Sequence, residues 1–179
     1  MDTNRDNEDK TVAFLTEERA ITIREFAQTE VFSKLFTTGM DMVEETANYL
    51  DGQGREDSRS LPRKVSLAYA GESMRLTTRL MQIASWLLVQ RAVREGELTA
   101  QDAAAKKYRM TGTGLSDVPP IEGAHLLPDG LVDLIRRSEA LYDRIERLDR
   151  SLFIDPPKPS KAPVREHQKR LEAAFGTAL

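Results

Sequence analysis

The segment 61–96 constrains this chain more than any other, because it reads as one long helix with apolar residues on more of its circumference than a single neighbour can cover. At about 100° per residue, Leu67, Met74, Met81 and Leu88 share one edge, while Tyr69, Leu76, Ile83, Leu80 and Leu87 lie about half a turn away. The polar strip between them is narrow: Lys64, Glu72, Arg75 and Arg79. Such a helix is expected at the centre of a bundle, buried from two sides, with a second subunit as a candidate cover for one of them.

Composition narrows the class further. A chain of 179 residues suffices for one helical domain with tails. Its 31% charged and only 6% aromatic content favours exposed helices and mobile ends over a compact α/β enzyme. The absence of cysteine excludes disulfides, thiolate metal sites and Cys nucleophiles. The stretch Met1-Asp2-Thr3-Asn4-Arg5-Asp6-Asn7-Glu8-Asp9 lacks the basic start and apolar run of a signal peptide, and no uncharged apolar segment approaches the ~18 residues of a membrane span. A cytoplasmic protein is expected. Net charge is −3, and its distribution says more than its sum: residues 20–50 are acidic (Glu25, Glu30, Asp41, Glu44, Glu45) and 61–95 basic (Arg63, Lys64, Arg75, Arg79, Arg91, Arg94). That contrast suits an antiparallel helix pair, or else two solvated faces of little energetic consequence.

Residues 1–19 carry many acids and only Val12, Phe14 and Leu15 to bury, so they read as a disordered arm. The first helix is expected to open at Thr22 as N-cap, with Glu25 completing a capping box and Ile21 and Phe26 forming a hydrophobic staple. Its buried stripe is Phe32, Leu35, Phe36, Gly39, Met42, Val43, Ala47 and Leu50, ending at Asp51-Gly52-Gln53-Gly54. Gly39 within that stripe costs ~1 kcal/mol relative to Ala, which a close helix crossing would explain. Residues 55–60 read as a charged turn, and Pro62 suits the first turn of the long helix. Thr99 with Asp102 three residues later suggests a short helix of two to three turns within 97–108, and 109–127 is a long connection broken by Gly and Pro. The last major helix begins at Pro128-Asp129 and carries a clean heptad, with Leu131, Ser138, Ile145 and Leu152 on one row and Leu134, Leu141 and Leu148 on the other. Four prolines at 156, 157, 159 and 163 make the following stretch an extended linker, after which 164–179 could form a short amphipathic helix.

No catalytic constellation is present. Glu122-Gly-Ala-His125 has the spacing of a dimetal carboxylate motif but sits in a Pro/Gly-rich loop without a second copy, and a loop histidine is the preferred reading. His167 has nothing around it to fix its tautomer. Thr111-Gly-Thr-Gly114 is short of a phosphate-binding signature, and Glu44-Glu45 diverge on a helix. No catalytic, cofactor or metal residues are assigned. Nucleic-acid binding through the basic helix and tail is the alternative function, as a DNA-binding or nucleoid-associated bundle, but no aromatics interleave the bases. Two sets of residues stand out for protein contact. Leu67, Met74, Met81 and Leu88 are a candidate dimer interface. Trp86, Lys161, Arg165, Lys169, Arg170, Leu171 and Phe175 are candidate partner contacts, although for Trp86 a cover from Leu98, Tyr108 or Met110 is the preferred reading.

The run from Val65-Ser-Leu-Ala-Tyr-Ala-Gly-Glu-Ser-Met-Arg-Leu through Ala84-Ser-Trp-Leu-Leu-Val-Gln to Glu97 resembles the core of the alphaproteobacterial RcdA family, the regulators of CtrA degradation. Phe32-Ser-Lys-Leu-Phe36 before it and the Leu131 to Leu152 helix after it occur in that family's order, so the resemblance covers roughly 20–154. It implies a three-helix bundle that dimerises, lacks enzyme activity and serves as an adaptor of the ClpXP protease. In this role the adaptor joins a protease primed by the response regulator CpdR, delivers cell-cycle regulators or engages further adaptors, and depends on a flexible C-terminal tail. The combined expectation is an all-α, antiparallel three-helix bundle with a long central helix over 20–154, between an N-terminal arm 1–19 and a Pro-rich, basic tail 155–179. The protein is expected in the cytoplasm, with concentration at the cell pole a further expectation, and without cofactor or membrane contact.

Overall fold

The computed structural model describes residues 17–110 and 121–153, and every regular element among them is helical. Helix α1 covers 17–28 of the described chain and is followed at Thr29 by α2, Glu30–Asp51. A short α3, Gln53–Arg59, leads to the long α4, Arg63–Glu95. The one-turn α5, Ala100–Ala103, and two 3-10 turns, Lys106–Tyr108 and Ala124–Leu126, precede α6, Asp129–Phe153. The bundle consists of α2, α4 and α6, with α4 in contact with both others along its length.

Several starts and stops follow local chemistry. α4 opens behind Pro62 and closes at Gly96, whose φ of 78° is the left-handed geometry that a residue with a Cβ resists. Thr99 caps α5 by accepting from the Asp102 amide at 3.0 Å. The start expected at Thr22 is corrected. Residues 17–28 are already helical, and the Thr22 hydroxyl, instead of capping, donates to the Glu18 carbonyl at 3.0 Å within the helix. The cap that the fold uses is Thr29, which accepts from the Phe32 amide at 3.1 Å and marks the break between α1 and α2. Ile21 is correspondingly exposed, whereas Ala20, Ile23 and Ala27 are the buried residues of α1. Of the expected arm, 17–19 belong to this helix and 1–16 lie outside the described residues. Gly52 interrupts the chain without ending its helicity, so the turn expected at 55–60 is mostly α3; Gln53 donates to Asp57 at 2.7 Å and Tyr49 reaches the same carboxylate at 3.3 Å.

The core is the apolar seam of these helices. Phe32, Leu35 and Met42 of α2, Leu76, Leu80, Ile83 and Leu87 of α4, and Leu131, Leu134, Leu141, Ile145 and Leu152 of α6 are all buried. Gly39 brings α2 against α4: a Cβ there would lie 2.4 Å from Leu87 Cδ1 and 3.6 Å from Ile83 Cγ2. In α2 the inward position is Thr46, while Ala47 faces out.

The directions of the helices differ from the antiparallel expectation in one pair. α2 runs against α6, since Glu45 meets Arg137 and the earlier Gly130 lies against Tyr49. It also runs against α4, as Gly39 against Leu87 and the Arg94 guanidinium on Ser33 show. α4 and α6, however, are parallel: Arg79 meets Ser138, and further along both helices Trp86 meets Asp149. The cause is the long connection, which returns the chain to the first half of α4, where Lys64 pairs with Glu122 and Ile121 sits on Gly71. Two parallel neighbours need a crossover of this kind.

Candidate interaction surface

Apart from the exposed Lys64, the narrow polar strip of α4 faces inward. Arg79 is 3% exposed, donating to Ser138 Oγ at 3.0 Å and to Glu139 Oε1 at 3.1 Å on α6, and Glu72 is also buried, paired with Arg75 at 3.0 Å. Trp86 belongs to the same seam. At 1% exposure it donates from Nε1 to Asp149 Oδ1 at 2.8 Å, which corrects its reading as a partner anchor. Asp149 is held from the other side by Arg109, through Nε at 2.9 Å and Nη2 at 2.8 Å, and the Arg109 guanidinium stacks 4.1 Å from the Phe153 ring. The connecting segment thus closes over Trp86, with Tyr108 and Met110 beside it. A buried carboxylate with three directed donors is stable only because all of them are present.

With Arg79 committed to α6 and Glu72 to Arg75, the water-facing side of α4 is what remains. Leu67, Met74, Met81 and Leu88 are 67%, 72%, 65% and 50% exposed. The other exposed positions between Lys64 and Arg91 are Ala70, Thr77, Thr78 and Ser85, so roughly 30 Å of outward helix carries no charge. A contiguous apolar ridge of this length on the outside of a helical bundle is a candidate contact surface. Its residues are also arranged symmetrically about a point between Thr77 and Thr78. Leu67 mirrors Leu88, Met74 mirrors Met81, Ala70 mirrors Ser85, and the limits are Lys64 and Arg91, each with a carboxylate of its own, Glu122 and Glu95.

Two depressions flank Met81. One, about 230 Å³, lies between α2 and α4 and is lined by Val43, Ala47, Leu50 and Leu80, with the Thr46 hydroxyl buried in its wall and without a partner among the described residues. The other, about 380 Å³, lies between α4 and the segment from Lys107 to Met110. Away from the ridge, α2 and α6 are joined by Arg137 bound to both Glu45 and Asp133. The hydrogen bond from Arg137 holds the Glu45 carboxyl below its ordinary value, and hydrogen bonds from Arg136 and Arg137 do the same for Asp133.

The remaining sequence candidates divide by location. Lys161, Arg165, Lys169, Arg170, Leu171 and Phe175 lie outside the described residues. Glu122 is taken by Lys64, His125 sits in a 3-10 turn, and no group of three metal-ligating side chains occurs among the described residues. Of Arg63, Lys64, Arg75 and Arg79, the bases of α4 on which nucleic-acid binding would rest, Arg75 and Arg79 are turned into the protein interior with carboxylate partners. Arg109 is not singled out in the sequence, and Asp149, which reads there as one of the solvent-facing charges of the last helix, is buried. The signal available was the spacing of Ser138, Tyr142 and Asp149 on the inward side of α6, which requires polar partners from the facing helix.

These features define an all-α three-helix bundle whose long central helix shows an uncharged ridge to solvent. Residues 23–175 match the family described as Protein of unknown function (DUF1465). The crystal structure of RcdA from Caulobacter crescentus CB15 is similar, with 51% sequence identity and a TM-score of 0.61 over 74% of this chain and 98% of that one. The chain belongs to the DUF1465 family, the family of RcdA. No curated protein matches it. Among the described residues no helix is long and apolar enough to cross a membrane.

Proposed function

We propose that this protein is a non-enzymatic adaptor in regulated proteolysis, which joins a ClpXP protease primed by a CpdR-like response regulator and delivers cell-cycle regulators of the CtrA pathway. The observation that carries the proposal is the 51% identity to RcdA over nearly all of that chain, since that protein's name denotes regulation of CtrA degradation. The uncharged ridge on α4 supports an interaction role: the side chains that the bundle leaves in water are those a partner would cover.

The reading includes a homodimer built on Leu67, Met74, Met81 and Leu88. A two-fold axis through the midpoint between Thr77 and Thr78 would lay α4 antiparallel on its copy, Leu67 against Leu88 and Met74 against Met81, as an isologous contact requires. Small residues at 70, 77, 78 and 85 let the two backbones approach. The tail 155–179 serves as a tethered segment with Lys161, Arg165, Lys169 and Arg170 around Leu171 and Phe175, searching for a partner and ordering on contact. The site of action is the cytoplasm.

Reconstituted degradation tests the proposal. Adding the protein to ClpXP, response regulator and a cell-cycle cargo is expected to accelerate cargo loss, and removal of 155–179 to reduce that acceleration. Unchanged cargo lifetime with the intact protein would sink the adaptor reading.

A further inference from the structure

We propose that the groove of about 380 Å³ between α4 and the Lys107–Met110 segment is a docking site for a short acidic peptide that inserts an apolar side chain. The interior of the groove is apolar, made by Met81, Val89, Tyr108 and Met110 over the edge of Trp86. That volume holds one or two large apolar side chains and falls within the range of preformed ligand pockets. Its far wall is rigid, because Arg109 is fastened to Asp149 by two charge-assisted bonds and to Phe153 by stacking. A wall that is held before the ligand arrives lowers the ordering cost of binding.

Two polar features choose the ligand. Among the described residues the full charges lining the groove are both positive, and no carboxylate lines it. Arg109 is neutralised by Asp149, but the Lys107 ammonium, 4.6 Å above the Tyr108 ring, is left to face a ligand, with exposed Lys106 next to it. In addition the Gln82 side chain has a buried Oε1 with no partner among the described residues; amide orientation is interchangeable, so either a donor or an acceptor can be turned toward a peptide group. A chain with an apolar anchor, a neighbouring carboxylate and free backbone groups satisfies all three. A purely apolar ligand would leave Lys107 and Gln82 unanswered.

The proposal is independent of the adaptor reading, because binding is measured without protease and either can fail alone. The experiment is fluorescence anisotropy on the full chain with a labelled peptide that has a central Leu-Phe pair flanked by glutamates, and with its glutamine and lysine counterparts. The glutamate peptide is expected to bind about tenfold more tightly than the glutamine one, the equivalent of one partly desolvated ion pair. Lys107→Glu should abolish that preference and favour the lysine peptide, while Lys34→Glu, the same charge reversal on the exposed side of α2, should leave affinity unchanged. Equal binding of the glutamate and glutamine peptides, or indifference to Lys107→Glu, would overturn the site. Affinity that rises on deletion of 155–179 would name the chain's own tail as occupant, and equal competition by free 4-phenylbutyrate would make it a small-molecule pocket; both overturn the peptide assignment.

Discussion

Gln90 is fully buried on α4, and neither its Oε1 nor its Nε2 has a hydrogen-bond partner among the described residues. Each unanswered polar atom in an interior costs about 1–3 kcal/mol. Replacing Gln90 by Met keeps the volume and removes both atoms, so Gln90→Met should raise unfolding free energy in urea by about 1–2 kcal/mol. A loss of stability would show that the amide holds internal water. The two threonines of the N-terminal region give a second contrast at this scale. Thr29→Ala removes the cap on α2 and should cost ~1 kcal/mol, whereas Thr22→Ala, which deletes only an exposed bond within a helix, should fall within a few tenths of zero. Equal effects in chemical denaturation would return the helix start to Thr22. The sequence pattern pointed to Thr22 because Glu25 and the staple residues surround it. Thr29 lies inside what reads as a continuous helix, and only the turn of α1 across the end of the bundle makes it a cap.

Helix positions were more legible than helix contacts. The periodicity of 61–96 and of 129–153 marks elements within a few residues of those observed, because spacing by three and four is an internal property of each helix. Which neighbour covers which face depends on connections, and the parallel pairing of α4 and α6 follows from the long crossover, whose course no local pattern encodes. Gly39 is the exception, a local anomaly that forecast a tertiary contact. Gly39→Ala gains ~1 kcal/mol of helix propensity, but the new methyl meets Leu87 Cδ1 at 2.4 Å in a packed core. Overpacking costs typically 1–3 kcal/mol, so the net effect should be a loss, read as a lower thermal midpoint. The clamp between α2 and α6 predicts a pH dependence. Glu45 is held below its ordinary value in the folded state by Arg137, so its contribution is present above the unfolded carboxylate's pKa and is lost as pH falls through the folded one. Both partners are partly exposed, which limits the effect to about 0.2–1 kcal/mol. Glu45→Gln should therefore be slightly less stable at neutral pH and converge with the parent in acid; a gap that persists at low pH would assign the loss to packing instead.

For the whole molecule, the decisive quantity is the distribution of charge around α4. A lone three-helix bundle normally keeps its central helix's charges in water and its apolar rows inside. Here Glu72 and Arg79 are inside and Met74 and Met81 outside, an inversion that makes sense if the outward row is interior to an assembly. The row itself could be read from the sequence; that it is the uncovered one could not, since its residues are no less apolar than the buried row. Its mirror symmetry gives a test more specific than molecular mass. If α4 pairs with its own copy about the point between Thr77 and Thr78, a cysteine at either of those positions lies near its counterpart and should form a disulfide-linked dimer on mild oxidation. Leu67→Cys should not cross-link with itself, because about 30 Å of helix separates the two copies of that position. Mixed with Leu88→Cys protein, it should cross-link readily. The chain has no native cysteine to confuse the assay. Met74→Glu with Met81→Glu should yield folded monomers, because both side chains are in water in the single chain and nothing in the core depends on them. Self-cross-linking of Leu67→Cys would mean a parallel pair and refute the proposed axis, and a monomeric parent at micromolar concentration would remove the dimer altogether.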